Sequence, residues 1–129
     1  MNANSREYFK IFSAGPKTYK QRFLVRSGNS YKYLITEDIA SFMAEDGVVF
    51  ARCLSGGKSI VENNLTELVQ VLDPGQFYQI NRNTIVSIGA VFKISNYFNR
   101  RVIVQLLPDK FESIVSRERV QGFKEWLNK

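Results

Sequence analysis

The sequence predicts a mainly β, mostly antiparallel domain with two short α-helices. Between residues 22 and 115, short runs of β-branched and aromatic residues alternate with Gly, Asn, Asp and Pro, which favour tight turns. Two stretches, one near residue 65 and one at the C-terminal end, space their apolar residues as an amphipathic helix does. The chain has 129 residues, which is enough for one domain with its own hydrophobic core.

The N-terminal end differs from the rest of the chain. Residues 1–20 contain several aromatic residues and a Gly-Pro step but show no sustained period. They are predicted to form an N-terminal arm or linker whose aromatic residues dock onto the domain, with a short helix at residues 5–12. Residues 21–129 are predicted to form the domain itself.

The first half of the domain is predicted to contain five strands. They cover residues 22–26, 31–35, 39–44, 48–54 and 58–61. Gly28-Asn29 separates the first pair of strands, and Glu45-Asp46-Gly47 separates the second pair. Glycine and asparagine accept the positive φ that a tight turn requires, so both pairs are expected to form hairpins.

A helix is predicted after the fifth strand. Asn64 has a glutamate, Glu67, three positions later, which is the arrangement of a capping box. Four apolar residues at helical spacing form one stripe: Leu65, Leu68, Val69 and Leu72. This stripe is expected to pack on the sheet, and the Asp-Pro-Gly step at residues 73–75 is expected to end the helix.

The second half repeats the strand pattern and closes with another helix. Further strands are predicted at residues 77–80, 83–88, 91–98, 101–106 and 111–115. Asn99-Arg100 and Pro108-Asp109 lie at the turns between the last three strands. The final helix is expected to begin at Ser116 as its N-cap and to bury one apolar side. That side consists of Val120, Phe123, Trp126 and Leu127.

The composition argues against an enzyme, a metal site and a bound cofactor. The chain has no histidine, which removes the commonest general base and the commonest metal ligand. Its single cysteine, Cys53, lies in an apolar run and is predicted to be a buried structural thiol. No apolar run is long enough to span a membrane, and the first residues lack the apolar core of a secretory signal. A cytoplasmic protein is therefore expected.

The net charge of +6 is unevenly distributed. Residues 1–36 carry seven basic side chains and one acidic one. Residues 37–75 carry two basic and seven acidic side chains, and residues 76–129 carry nine basic and four acidic side chains. Two cationic segments on either side of an anionic one favour a polyanionic partner, with a merely solvated surface as the alternative.

Arginine and asparagine side chains recur at the breaks between predicted elements, where a rigid scaffold can present them to a partner. They are Asn81, Arg82, Asn83, Arg100, Arg101, Arg117 and Arg119. Arginine presents a planar fork of donors that fits phosphate oxygens or the edge of guanine, and asparagine fits adenine. The alternative is that these arginines form surface ion pairs with Glu112, Glu118 or Glu125. No helix-turn-helix pattern is present, so DNA would be contacted by loops on a β scaffold.

Three motifs, in order, carry a resemblance to a known family. In chain order, they are the helix with Leu65, Leu68 and Leu72, then Phe77-Tyr78-Gln79-Ile80-Asn81-Arg82-Asn83-Thr84-Ile85-Val86-Ser87, and then Ile114-Val115-Ser116-Arg117. The upstream Asp38-Ile39 with Phe42 fits as well. From about residue 22 to residue 127, the chain resembles a LytTR-type DNA-binding domain, the output domain of response regulators of the LytR/AlgR kind.

The resemblance implies an elongated arrangement of small antiparallel sheets with two short α-helices, whose loops enter successive major grooves of duplex DNA. It places DNA contacts at Arg82 with its neighbours Asn81 and Asn83, at Arg101, at Arg117 and at the turn over residues 46–48. The sequence departs from the family pattern at three positions, because Gln79 replaces the usual arginine, Asn81 the usual histidine and Asn83 the usual serine.

These observations predict sequence-specific binding of double-stranded DNA in transcription regulation, on paired or repeated sites. Arg117 and Arg82 are expected to contact bases, and Arg100, Arg101 and Arg119 to contact phosphates. Relatives usually carry a receiver domain upstream, so the chain is interpreted as a stand-alone regulator or as the output part of a two-component response regulator with a partner kinase. Two alternatives stay open: a protein interaction module that uses exposed aromatics, and an RNA-binding or single-strand-binding β domain. The aromatics in question are Tyr31, Tyr33, Tyr97 and Phe98.

Overall fold

The computed structural model describes residues 18–129 and contains ten strands and two α-helices in that range. The strands are β1 (Arg22–Ser27), β2 (Ser30–Ile35), β3 (Ile39–Glu45), β4 (Val48–Cys53), β5 (Lys58–Val61), β6 (Phe77–Asn81), β7 (Thr84–Ser87), β8 (Val91–Asn96), β9 (Val102–Leu106) and β10 (Phe111–Val115). The helices are α1 (Leu65–Val71) and α2 (Val120–Leu127). The helix predicted at residues 5–12 and most of the predicted arm lie outside the described residues.

The strands form three small antiparallel sheets, which confirms the predicted fold class. The order is β1-β2 in the first sheet, β5-β4-β3-β7-β6 in the second and β10-β9-β8 in the third. The turns follow the sequence closely: Gly28, Asp46 and Gly47 all have positive φ at the predicted hairpin turns. Strands β6 and β10 each lie at the edge of their sheet.

The first hydrophobic core lies between the five-stranded sheet, the β1-β2 hairpin and α1. Phe23 of β1 meets Phe42 of β3 edge-to-face, with ring centroids 5.4 Å apart. Helix α1 begins with the predicted capping box of Asn64 and Glu67. The prediction that Val69 belongs to the buried stripe is wrong, because its side chain is 51% exposed. The helix has only two turns, and its three leucines already fill the contact with the sheet.

The second core lies on the opposite face of the same sheet. Ile85 of β7 belongs to the first core and Val86, the next residue, to the second, as the alternation of side chains along a strand requires. Strands β8 to β10 and α2 cover this face, and Phe123 and Trp126 of α2 are buried there. Trp126 Nε1 also donates to the carbonyl oxygen of Pro74 at 2.9 Å.

The start of the C-terminal helix differs from the prediction. A single 3-10 turn over Arg117–Arg119 precedes α2, and the Ser116 side chain caps neither element. The backbone N–H of Ser116 instead donates to the carbonyl oxygen of Ile80 at 2.9 Å. The residue is held against β6, so the α-helix begins four residues later at Val120. Neither helix in the range 18–129 has the length and apolar character needed to cross a membrane.

Candidate nucleic-acid interface

Three loops from different parts of the chain meet around one open groove of about 790 Å³. They are the β6-β7 turn, the tip of the β8-β9 hairpin and the segment that joins β10 to α2. We call this depression the three-loop groove. Five of the predicted site residues line it: Asn81, Arg82, Asn83, Arg101 and Arg117. The fold therefore brings together side chains that are up to 36 positions apart in the sequence.

The β6-β7 turn presents Arg82 and Asn83 to solvent, and Asn81 shapes it. Asn81 Oδ1 accepts a hydrogen bond from the backbone N–H of Asn83 at 2.8 Å, which is an Asx turn. The carbonyl oxygen of Asn83 in turn accepts from the N–H of Ala44 on β3 at 2.8 Å. The backbone of the turn is fixed at both ends, so the exposed guanidinium of Arg82 projects from a rigid base.

The tip of the β8-β9 hairpin holds its two arginines differently. Asn99 and Arg100 both adopt left-handed backbone conformations, with φ of 58° and 62°. This conformation costs a non-glycine residue about 1 kcal/mol or more, and such strain is often found at functional sites. The guanidinium of Arg101 lies 5.0 Å from the ring centroid of Tyr97, and its Nε donates to the carbonyl oxygen of Phe98 at 3.2 Å. Arg101 faces the groove, whereas Arg100 is exposed beside it.

Arg117 and Arg119 point to different places although they are two residues apart. Arg117 is exposed and lines the three-loop groove. Arg119 is half-buried, and its Nη1 donates to the carbonyl oxygen of Gln79 at 3.2 Å. It lines a second cleft of about 420 Å³ that also contains Trp126. Arg119 thus ties the start of α2 to β6, away from the groove.

The ion pairs considered as an alternative are absent from residues 18–129. Over that range the structure contains a single ion pair, between Arg52 Nη1 and Asp109 Oδ2 at 3.2 Å. Glu112 accepts from Gln105 and Glu125 accepts from Gln121, so these two carboxylates have neutral partners instead. Within residues 18–129, the groove arginines form no ion pair, and the only hydrogen bond of a groove guanidinium is the one from Arg101 Nε to Phe98.

Sequence reasoning missed the acidic character of the groove. Three carboxylates, those of Glu45, Glu112 and Glu118, line it beside its three arginines. The signal was present in the sequence, because Glu45 adjoins a hairpin turn and Glu118 follows Arg117 directly. A carboxylate repels phosphate but accepts a hydrogen bond from the amino group of cytosine, so these residues constrain which parts of a duplex fit the groove.

The described residues show little that would support other chemistry. Residues 18–129 contain no group of three or more His, Cys, Asp or Glu side chains that could hold a metal ion. The thiol of Cys53 is buried, and burial raises its pKa above the ordinary value. A thiol with a raised pKa is a poor nucleophile at neutral pH, in agreement with the structural role predicted for it.

Comparison with known families decides the identity of the domain. A family described as "LytTr DNA-binding domain" matches residues 29–128. The chain belongs to this LytTR family. The match confirms the predicted resemblance and the predicted class of function, a DNA-binding domain of transcription regulators. Domains of this family are in general not enzymes.

Individual relatives cover parts of this LytTR domain. The transcriptional regulatory protein YpdB of Escherichia coli K12 is 29% identical over 69 residues, which is 54% of this chain and 28% of that protein. An uncharacterized response regulatory protein of Vibrio cholerae is 34% identical over 65 residues, which is 50% of this chain and 24% of that protein. The chain therefore spans about a quarter of the length of these curated relatives in the regions that match.

A solved structure shows the same fold. The LytTr DNA-binding domain of a putative methyl-accepting/DNA response regulator from Bacillus cereus superposes with a TM-score of 0.77 at 14% sequence identity. The superposition covers 85% of this chain and 99% of that one. The arrangement of three small sheets is thus shared at a sequence identity too low to carry over individual side-chain roles.

Proposed function

We propose that the three-loop groove is the surface with which this LytTR domain reads a specific duplex sequence in transcription regulation. The observation that carries the proposal is the convergence of Arg82, Arg101 and Arg117 from three separate loops, each without a carboxylate partner among residues 18–129. Guanidinium groups on a rigid scaffold can bind phosphate oxygens or base edges without first breaking an internal ion pair.

The surroundings of each arginine suggest its role in the complex. Arg82 and Arg117 are exposed and untethered, so they are free to enter a major groove and contact guanine. Arg101 is held by a ring and a carbonyl oxygen, which suits a fixed contact to a phosphate, and the neighbouring Arg100 can contact the next phosphate along the backbone. Asn83 is exposed and can pair with adenine. Arg119 lies outside the groove and is left out of this contact set.

The acidic side chains make a specific contribution to the proposal. With three carboxylates beside three arginines, the groove has little excess positive charge for attracting phosphates at random. Non-specific affinity should accordingly be modest, and a larger share of the binding free energy should come from correct base contacts. Selectivity, more than strong binding to any duplex, is the expected property.

A binding experiment with defined duplexes tests the proposal. A preferred site is first selected from random duplexes, and its affinity is then compared with that of a scrambled duplex by fluorescence anisotropy at fixed salt. The double variant Arg82→Ala/Arg117→Ala should lose the preference for the selected site. Arg26→Ala, an exposed arginine of the β1-β2 hairpin, is the matched control and should keep it. Equal preference in both variants, or a stronger affinity for single strands than for duplexes, would contradict the proposal.

The relatives suggest a wider setting. One relative is called a transcriptional regulatory protein and another a response regulatory protein. We propose that this domain likewise serves as the output domain of a response regulator with a receiver domain and a sensor kinase, or as a stand-alone regulator. Binding of two copies to a paired site would raise the affinity of a small domain, and a DNA partner favours a cytoplasmic location. Sedimentation with duplexes that carry one or two copies of the selected site would give the stoichiometry.

A second candidate function is supported by the outer face of the β1-β2 hairpin. Four large side chains are more than half exposed there: Leu24, Tyr31, Tyr33 and Ile35. Arg22 and Arg26 lie against the two tyrosine rings on the same face. Tyrosine and arginine are enriched in protein interfaces, so this face suits an acidic protein partner. It does not border the three-loop groove, and a binding role of this face is therefore compatible with DNA binding elsewhere.

A further inference from the structure

We infer that Asn81 is a positioning residue that fixes Arg82 relative to Arg117, rather than a residue that reads a base itself. The inference rests on the proposed function, because it concerns how the three-loop groove discriminates sequences. It also changes the role expected for Asn81 from the sequence, where the residue was predicted to contact DNA.

The first step is that both ends of the Asn81 amide are already used inside the protein. Its Oδ1 accepts from the backbone N–H of Asn83 at 2.8 Å. Its Nδ2 donates to the carbonyl oxygen of Ile114 at 2.7 Å. An asparagine recognises adenine by offering its oxygen and its nitrogen together. The two internal bonds fix the plane of the Asn81 amide between Asn83 and Ile114. Turning the amide toward a base edge would break two short hydrogen bonds, each of which contributes about 1 kcal/mol.

The second step is the place of these bonds in the fold. Asn81 ends β6, the edge strand of the five-stranded sheet, and Ile114 belongs to β10, the edge strand of the three-stranded sheet. The hydrogen bond from Asn81 Nδ2 therefore joins two different sheets. Ser116 adds a second link across the same seam, through its N–H at 2.9 Å and its Oγ at 3.4 Å from the carbonyl oxygen of Ile80.

The third step connects this seam to the proposed base contacts. Arg82 follows Asn81 directly on one side of the seam, and Arg117 lies three residues after Ile114 on the other side. The spacing between the two guanidinium groups thus depends on how firmly the sheet edges are joined. Without the Asn81 amide, Ser116 and Arg119 would still join this segment to β6. The link that lies directly beside Arg82 would be lost, and the two groove arginines would lose their fixed spacing together.

This arrangement predicts a result that a direct base contact would not give. A residue that reads one base affects discrimination at one position and adds to the effect of a distant substitution. A residue that positions two others affects both of their positions, and its effect is not additive with the removal of either. The distinction can be measured with single-base variants of a selected site.

The first arm of the test is a double-mutant cycle in DNA binding. Asn81→Ala should lower discrimination at the base positions that are also lost in Arg82→Ala and in Arg117→Ala. The loss of discrimination in the double variant Asn81→Ala/Arg117→Ala should be at least about fivefold smaller than the product of the losses in the two single variants. Asn83→Ala is the matched comparator in the same turn and should affect one position only. An Asn81→Ala variant that loses discrimination at a single further position, additively, overturns the inference.

The second arm uses the free protein and needs no DNA. In Asn81→Ala the amide of Asn83 should exchange with solvent on the order of tenfold faster, while the buried amide of Val104 keeps its protection. Asn81→Asp retains the acceptor for the Asn83 backbone N–H but loses the donor to Ile114. In this variant the Asn83 amide should stay protected from exchange, whereas discrimination between duplexes should still fall. Unchanged exchange of the Asn83 amide in Asn81→Ala would overturn the inference about Asn81 and would leave the proposed function standing. A wild-type protein that discriminates no duplex sequence overturns the proposed function, and with it the role of Asn81 in reading, even if the exchange result holds.

Discussion

Replacing Arg117 by alanine should abolish much of the sequence preference while leaving the fold intact. The side chain is exposed, forms no hydrogen bond or ion pair within residues 18–129, and belongs to a single 3-10 turn. Its removal breaks no hydrogen bond or ion pair within that range, so the free energy of unfolding should change by no more than about 0.5 kcal/mol. Thermal unfolding of the two proteins under the same conditions checks this part of the prediction.

The effect on DNA binding follows from the geometry of the guanidinium group. A bidentate contact between arginine and guanine contributes about 1 to 3 kcal/mol to discrimination, which corresponds to roughly a 5- to 150-fold preference over the wrong base. Arg117 has no internal hydrogen bond to break before it binds, so a value near the middle of this range is expected. Arg117→Lys keeps the charge but lacks the planar fork, so it should retain the affinity for scrambled duplexes and lose the preference.

The assay is fluorescence anisotropy at fixed salt with the selected site and with duplexes that differ from it by one base pair. Arg117→Ala should bind the parent site and one single-base variant with nearly equal affinity. If the variant instead weakens all duplexes by the same factor, Arg117 contacts a phosphate. If its preferences equal those of the wild type, the residue is not in the interface.

Four further predictions concern a proposed phosphate contact, a buried core side chain, the packing of α2 and the buried thiol. Arg101→Ala should weaken all duplexes together and reduce the slope of log affinity against log salt by about 0.9, as measured by a salt titration of binding. Leu68→Ala should lower the free energy of unfolding in urea by about 2 to 5 kcal/mol, since this side chain of α1 is fully buried in the first core. Gly122→Ala should cost a net amount of about 1 kcal/mol in the same assay, because the new methyl group collides with the hydroxyl of Tyr78 and this outweighs the gain in helix propensity. The buried thiol of Cys53 should resist thiol reagents until the protein unfolds. Burial raises the pKa of this thiol in the folded state, so the free energy of unfolding should hold below the ordinary thiol pKa and fall as the pH rises above it.

The local structure could be predicted well because it depends on nearby residues. Gly28 and Gly47 mark hairpin turns by their tolerance of positive φ, and Asn64 with Glu67 marks a helix start by a reciprocal hydrogen-bond pattern. Each of these signals acts over a few residues, and the structure contains each element at the predicted place. The prediction that Val69 is buried was wrong, because periodicity indicates the apolar face of a helix but not how much of that face the sheet can cover.

The arrangement of the site was harder to predict because it depends on how separate sheets meet. Nothing near Asn81 in the sequence indicates that its amide reaches the backbone of Ile114 on another sheet. The same limit applies to Arg119, which turns back to β6, and to Glu45, which lies at the end of β3 beside the β6-β7 turn and lines the groove. Sequence motifs indicated the residue types of the candidate site, whereas packing between sheets decided which of them line the three-loop groove.

Duplex DNA is proposed to bind at the three-loop groove, and amide exchange measured with and without a selected duplex would locate the bound DNA on the domain. Amide exchange should become slower over residues 81–83, 99–101 and 116–118 when DNA is bound, and exchange in the β1-β2 hairpin should stay unchanged. Protection confined to residues 22–35, with the three loops unaffected, would contradict the claim and place the DNA on the hairpin instead.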